Sequence, residues 1–168
     1  AINPYDVSKV AADKLAQSYI STYNMNIAIT RLCNVYGEGD MNLNRIIPDT
    51  ITTILKKKQP IIRSDGKTVR EYIYIKDVID AYLILAESNE TGVFNIGNTG
   101  QVYSPLVIVC EIITQMKCKF LPKVLNQAKN EIQDQSLNSD KFYETFNWRP
   151  KYTITEGLKK TIRWYREN

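Results

Sequence analysis

The sequence predicts an α/β fold, and two observations carry this prediction. Segments with an apolar period near that of a helix alternate along the chain with short apolar runs bounded by turn residues. The chain also has 168 residues, of which 43% are hydrophobic and 24% charged. That length and composition are sufficient for one globular domain with a core of its own.

The first predicted helix covers residues from about 4 to 22. Asn3 is a suitable N-cap, and Pro4 costs no hydrogen bond in the first turn. Tyr5 and Lys9 are four residues apart and therefore share a face of this helix. A nearby ammonium favours the phenolate form of a tyrosine, so such a pair can exchange a proton with a substrate hydroxyl. Alternatively, the ring packs and Lys9 pairs with Asp13.

The remaining elements alternate in type. Turn signals, caps and periodicity predict a strand from Asn26 that runs into a loop by Gly37, a polar segment 38–44, and a helix over 45–58 with Pro48 near its start. Two strands over 60–75 are predicted as a hairpin about Asp65-Gly66, followed by a helix over 76–88 capped by Asp77 and a strand over 92–98. The rest of the chain is predicted as a helix from Ser104-Pro105, a short strand over 117–122, and helices over 138–148 and 155–168.

Charge and residue usage limit the function classes. The net charge of +4 is too small to indicate a nucleic-acid partner, and the run 56–58 of lysines suits the negative end of a helix dipole. No apolar run reaches membrane-spanning length, so no membrane partner is expected. The chain contains no histidine, which excludes histidine triads and histidine metal sites in this chain, and no metal is expected. Its three unclustered cysteines indicate reduced thiols and a cytoplasmic location.

The seven glycines form no phosphate-binding loop of the G-x-G-x-x-G type. The segment GNTG at 97–100 follows a predicted strand. Because it has no third glycine, it is interpreted as an ordinary turn.

Several segments, taken in order, resemble one enzyme family. They are YDVSK, TRLCNVYGEGD, RSDGKTVREYIYIKDVIDAYLI, FNIGN and FNWRPKYTITEGLKKTIRWYREN. In this order and spacing they are similar to the C-terminal half of the extended short-chain dehydrogenase/reductases, which are NAD-dependent sugar-nucleotide epimerases and dehydratases. The segments NPYDVSK, DMNLNRIIPDTI and PIIRSDGKTVREYIYIKDVIDAYL look most like CDP-glucose 4,6-dehydratases.

The resemblance implies an organisation for the chain. Residual elements of a Rossmann-type fold, about 1–36 and 60–100, would be interleaved with a small α/β substrate-binding lobe, about 37–59 and 101–168. In the family, the first half of the chain carries the glycine-rich loop, most of the sheet and further acid and base groups. The resemblance therefore implies a C-terminal fragment that is inactive alone, with a homo-oligomer expected for the full-length form.

The resemblance also implies roles for single residues. Tyr5 would take the proton from the sugar 4-hydroxyl, and Lys9 would hold the nicotinamide ribose of NAD. The side chain of Tyr36 either packs or lines the cofactor pocket. The residues implied in binding the nucleotide sugar, with CDP-glucose expected, are Asn34, Asn44, Arg45, Arg63, Arg70 and Glu131. For Arg70 the alternative is a salt bridge to a surface carboxylate.

Three functions remain open at this stage. The first is a 4,6-dehydratase, which oxidises C4, loses water across C5 and C6, and is reduced at C6. The second is a C4 epimerase of the same family, which needs no elimination of water. The third is a non-enzymatic remnant or interaction module that binds sugar nucleotides.

Overall fold

The computed structural model describes residues 3–128 and 132–168. Glu131, one of the predicted substrate-binding residues, lies outside the described residues. Six helices are present in the described part: Pro4–Tyr23 (α1), Ile46–Leu55 (α2), Ile75–Glu87 (α3), Pro105–Met116 (α4), Asp140–Phe146 (α5) and Ile154–Glu167 (α6). The strands are Ala28–Leu32 (β1), Asn34–Tyr36 (β2), Ile61–Ile62 (β3), Val69–Tyr74 (β4), Gly92–Ile96 (β5), Val102–Tyr103 (β6), Lys123–Val124 (β7) and Asp134–Gln135 (β8).

The strands pair mainly in parallel. β1 pairs with β5, and β3 pairs with β7, both in parallel. β4 pairs in parallel with β2 and β8, whereas β6 runs antiparallel to β4. Parallel strands joined by helical crossovers are the mark of an α/β fold, and the predicted fold class is confirmed. The predicted division into residual Rossmann elements and a substrate lobe stays a prediction.

Local signals in the sequence define the helix ends. The Asn3 side chain accepts a hydrogen bond from the Asp6 N–H and caps α1, and Ser104 caps α4 in the same way through Val107. Thr153 and Glu156 form a capping box at the start of α6. The starts of these three helices are therefore local properties of the chain, whereas α2, α3 and α5 begin without a side-chain cap.

Two hydrophobic clusters make up the core, and β4 contributes to both. The first joins α2, α4 and α6 to β4 through fully buried side chains such as Ile51, Ile108 and Leu158. The second joins α3 and α5 to β4 and β5 around Phe94 and Phe142. Each cluster holds side chains of several elements, so β4 is fixed from both faces.

The predicted hairpin about Asp65-Gly66 is wrong. β3 pairs with β7, and β4 pairs with β2, β6 and β8, so the two strands that flank the turn do not pair with each other. The turn itself forms, because the Lys67 N–H donates to Asp65 Oδ1 at 2.8 Å and Gly66 takes a positive φ of 78°. Similarly, the strand predicted over 117–122 is found at Lys123–Val124.

Asp77 is not the cap of α3. Tyr74 occupies the N-cap position, and Asp77 lies inside the helix with only 1% of its surface exposed. Its carboxylate accepts hydrogen bonds from the Lys151 N–H at 2.9 Å and from the Tyr152 N–H at 3.3 Å. Burial raises the pKa of the Asp77 carboxyl above its usual value. The residue therefore anchors the segment before α6 to α3.

Within the described ranges, none of the helices is long and apolar enough to cross a membrane.

Candidate functional site

A cleft of about 1020 Å³ opens where α1, β2 and β4 meet the start of α2. Its walls contain every predicted site residue that falls in the described part of the chain. These residues are Tyr5, Lys9, Asn34, Tyr36, Asn44, Arg45, Arg63 and Arg70. The tertiary structure thus brings together side chains that come from four separate stretches of the sequence.

Tyr5 and Lys9 lie on the first turns of α1 and face the cleft. The Lys9 Nζ is 5.7 Å from the centroid of the Tyr5 ring, and Tyr5 is 68% exposed. Neither side chain is packed into a dry core. A phenol and an ammonium are thus available to a ligand in the cleft, as acid–base chemistry on a substrate hydroxyl requires.

The alternative pairing of Lys9 with Asp13 is not observed. Asp13 instead accepts two hydrogen bonds from Arg31, from Nε at 2.7 Å and from Nη2 at 3.0 Å. These bonds lower the pKa of Asp13 and tie α1 to β1. Among the described residues, Lys9 makes no ion pair with a carboxylate. Its ammonium is therefore available to a ligand.

Three arginines surround the cleft, and each keeps part of its guanidinium open. Arg45 pairs with Asp40 at 3.1 Å, yet 58% of its side chain is exposed. Arg70 donates through Nη1 to two backbone oxygens, of Val69 at 2.8 Å and Gln133 at 3.3 Å. The alternative of a salt bridge from Arg70 to a carboxylate is not seen in the described part. Arg63 is exposed. Open guanidinium groups around one cavity suit a phosphate ligand.

Two further residues frame the same region. Asn34 is exposed on β2, where its backbone pairs with Tyr72. Its amide can both donate and accept hydrogen bonds, as a sugar hydroxyl requires. Asn44 is exposed in the turn before α2, and its backbone N–H donates to Asn42 Oδ1 at 3.1 Å. Both side chains are free to meet a ligand.

Tyr36 contributes to packing. It is 4% exposed, and its ring packs against Tyr72 and Tyr74. Its hydroxyl donates to the Ile154 carbonyl oxygen at 3.4 Å, toward α6. Of the two predicted roles, packing is the one that the structure displays. Direct contact between Tyr36 and a cofactor stays a prediction, and the direction of the hydroxyl does not favour it.

Glu71 is a residue of this region that sequence reasoning missed. It is 1% exposed, and its two carboxylate oxygens accept hydrogen bonds from the backbone N–H groups of Asn98 and Leu137, the latter at 2.8 Å. Gly97 allows this approach, because a Cβ there would stand 3.0 Å from the Glu71 Cδ and closer still to Oε1. Leu137 lines the cleft. The signal that could have indicated a role for Glu71 was its position as a charged residue inside the apolar strand β4.

The structure also limits other chemistries. Burial and the charge of Glu71 raise the pKa of the Cys33 thiol to about 12, so it is protonated at neutral pH and a poor nucleophile. The part of the chain that the structure describes contains no group of three His, Cys, Asp or Glu residues placed to hold a metal ion. The groups suited to chemistry in the cleft are therefore Tyr5, Lys9 and the arginines.

The chain is similar to known proteins over almost all of its length. A family model described as "NAD dependent epimerase/dehydratase family" matches residues 1–97. Among curated proteins, dTDP-D-glucose 4,6-dehydratase of Bos taurus is 32% identical over 99% of this chain, and dTDP-glucose 4,6-dehydratase of Haemophilus influenzae is 26% identical over 97%. The alignments cover 48% and 52% of these relatives, so the chain spans about half the length of the curated relatives it matches.

Solved structures show the same likeness. The dTDP-glucose 4,6-dehydratase of Bacillus anthracis in complex with NAD has a TM-score of 0.88 and 28% identity, and the match covers 99% of this chain and 53% of that one. The UDP-glucose 4-epimerase of Thermotoga maritima with UDP-glucose has a TM-score of 0.92 and 26% identity, with coverage of 99% and 54%.

Proposed function

Because this chain belongs to the NAD dependent epimerase/dehydratase family, we propose that it forms the tyrosine–lysine and nucleotide-sugar side of a nucleotide-sugar 4,6-dehydratase. One observation carries the proposal. A single cleft holds Tyr5 and Lys9 at one wall and three arginines around the rest. A sugar hydroxyl and a pyrophosphate could thus be bound in the same cavity.

Tyr5 acts as the acid–base group at the sugar. Its phenolic oxygen stands in the cleft, where it can act as the base that accepts the proton of the 4-hydroxyl while C4 is oxidised. The 4-ketone is kept in the dehydratase product, because the later reduction takes place at C6. The Lys9 ammonium lies 5.7 Å from the Tyr5 ring centroid, on the same face of α1. The supporting observation is that both side chains are exposed to the cleft and neither is paired with Asp13.

NAD supplies the acceptor for the hydrogen and electron pair that leave C4. The described residues fit the nicotinamide-ribose end of this cofactor, because Lys9 offers an ammonium without an ion-pair partner there. They do not fit its pyrophosphate, for which the sequence has no glycine-rich loop. Lys9 therefore orients the ribose, and this chain holds only one end of the dinucleotide.

The arginines and Asn34 hold the nucleotide sugar. Arg70, with Arg45 or Arg63, binds the pyrophosphate, and Asn34 bonds to the sugar or a phosphate oxygen. A cleft of about 1020 Å³ is large enough for such a ligand. The sequence resemblance favours CDP-glucose, whereas the relatives are named for dTDP-glucose and UDP-glucose. CDP-glucose is our proposed substrate, with the other two as alternatives.

A second candidate is a C4 epimerase. It is favoured by the TM-score of 0.92 with UDP-glucose 4-epimerase of Thermotoga maritima. The two reactions share the oxidation of C4 by Tyr5 and differ in the loss of water, which needs a further acid and base. The third candidate, a sugar-nucleotide-binding module without activity, needs only the arginine side of the cleft.

Two measurements test the proposal. Calorimetric titration of this chain with CDP-glucose, dTDP-glucose, UDP-glucose and NAD should show weak binding of at least one nucleotide sugar and no tight binding of NAD. A full-length enzyme, reconstructed by joining this chain to the N-terminal half of a relative, should convert one of the same sugars with NAD into a product that has lost one water, detected by mass spectrometry. A product of unchanged mass and inverted C4 would assign the epimerase. If none of the three sugars is converted, both enzymatic candidates are excluded and the sugar-nucleotide-binding module is the remaining candidate.

A further inference from the structure

Six exposed lysines lie on two segments that are far apart in the sequence. Three follow the end of α2 and three follow the end of α4. We refer to them as the lysine patch, which comprises Lys56, Lys57, Lys58, Lys117, Lys119 and Lys123.

Backbone and side-chain bonds hold the two segments side by side. Gln59 Nε2 donates to the Leu121 carbonyl oxygen at 2.9 Å. The Lys123 N–H donates to the Pro60 carbonyl oxygen, also at 2.9 Å, where β7 pairs with β3. The two groups of lysines therefore belong to one surface at the end of the α2–α4 helix pair.

The lysine patch concentrates the positive charge of the protein. Residues 50–64 and 112–128 contain no Asp or Glu, so acidic neighbours along the chain do not neutralise it. The net charge of the chain is +4 and would be −2 without these six lysines. These six of the 22 lysines and arginines thus stand on segments without acidic residues.

Apolar side chains stand exposed among these lysines. Leu121 is 78% exposed, Val124 is 42% exposed and Leu55 is 40% exposed. The one aromatic residue of the two segments, Phe120, packs against the core. Helix dipoles account for a lysine close to a helix end, but they do not account for Lys119 and Lys123 beyond the last turn of α4, or for an exposed leucine between them.

We propose that the lysine patch, together with Leu121, binds the surface of an anionic lipid membrane. Clustered lysines are attracted to anionic headgroups, and exposed leucine and valine side chains can enter the acyl boundary. The two segments offer no exposed aromatic ring, which single-stranded nucleic-acid sites use for stacking. Surface binding needs no membrane-spanning helix. The proposal is independent of the enzymatic function proposed above.

Vesicle sedimentation tests the proposal with the full 168-residue chain. The chain should sediment with vesicles of phosphatidylcholine that contain phosphatidylglycerol, should bind much less to pure phosphatidylcholine, and should be released as the salt concentration rises. The quadruple variant K56S/K58S/K119S/K123S should lower the partition coefficient at least about tenfold. Leu121→Ser should lower it several-fold and leave the salt dependence unchanged.

The matched control is K14S/K67S/K76S/K159S, which removes four exposed lysines elsewhere and should bind nearly as the unchanged chain does. Circular dichroism checks that each variant is folded. Equal binding to neutral and anionic vesicles, equal loss in the control, or no loss in the quadruple variant would each overturn the proposal. Tighter binding to DNA or to polyglutamate than to vesicles at the same salt would assign the surface to another polyanion and would also overturn it.

Discussion

At the scale of single residues, the spacing of Tyr5 and Lys9 had a structural consequence that could be predicted. Four residues make about one turn of helix, so the two side chains share a face whatever else the chain does. Whether Lys9 would form an ion pair with Asp13 could not be predicted, because Asp13 can pair either with Lys9 on its own helix or with Arg31 on β1. In the structure Asp13 pairs with Arg31, and the Lys9 ammonium therefore stays available at the cleft.

Replacing Tyr5 by Phe tests the acid–base role. In full-length protein, Tyr5→Phe should lower turnover by a factor of about 10² to 10⁴, because the group that exchanges the proton is removed. Tyr19→Phe is the matched control, since Tyr19 lies on the same helix, is 43% exposed and does not line the cleft. It should turn over at the normal rate. Unchanged turnover in Tyr5→Phe would refute the role of Tyr5.

Replacing Arg70 by Ala tests the anion site. The variant should weaken nucleotide-sugar binding by about 1.5–3 kcal/mol, the usual contribution of a hydrogen bond to a charged group. Calorimetric titration of the nucleotide sugar measures the change. Arg149→Ala is a control, because that guanidinium stacks on the Tyr143 ring at 3.8 Å and does not line the cleft. If the two variants bind alike, Arg70 is structural.

At the scale of elements, close packing places a glycine in α6. A Cβ at Gly157 would stand 2.8 Å from the Tyr36 Cζ and closer still to its hydroxyl oxygen. Tyr36 is held in turn by Tyr72 and Tyr74. The glycine therefore allows α6 to approach β2 and β4 at the first hydrophobic cluster.

Gly157→Ala should accordingly destabilise the fold, although alanine is the better helix former. Overpacking at a buried contact costs about 1–3 kcal/mol. Urea unfolding followed by circular dichroism measures the free energy of unfolding. Lys159→Ala, at an exposed position of the same helix, should change it by less than about 0.5 kcal/mol. A Gly157→Ala variant as stable as the unchanged chain would show that α6 can move away from Tyr36.

At the scale of the whole molecule, α1 is the least packed helix among the described residues. None of its described residues is buried. Its exposed apolar side chains include Val10 at 52%, Leu15 at 60% and Tyr23 at 68%. Apolar side chains left exposed along a whole helix favour association with other chains.

The chain alone is therefore expected to self-associate at micromolar concentration. The double variant Val10→Lys/Leu15→Lys should lower the mass measured by light scattering, because both positions are exposed and lysine is a good helix former. Ile79→Lys/Leu83→Lys on α3 is the matched control, with both positions also exposed, at 49% and 55%. A monomer at all concentrations, or an equal effect of both variants, would contradict the assignment of α1.

The sequence by itself determined the helices and the residue types of the candidate site. Periodicity and caps define helices through contacts within a few residues, so five of the helix starts and the Tyr5–Lys9 face could be predicted from local rules. The family resemblance supplied Asn34 and the arginines, and the structure brings them to one cleft.

The tertiary structure decided everything that depends on residues distant in the sequence. It paired β3 with β7, and the paired residues Ile61 and Lys123 are 62 positions apart. The turn signal had favoured β4 as the partner of β3. It buried Asp77, which was predicted as a cap, against the segment before α6. It also brought two backbone donors to Glu71. It also joined two groups of lysines into one surface. Strand pairing and the burial of charged side chains depend on which segments the core brings together. A local sequence pattern cannot predict these, because the partners are distant in the sequence.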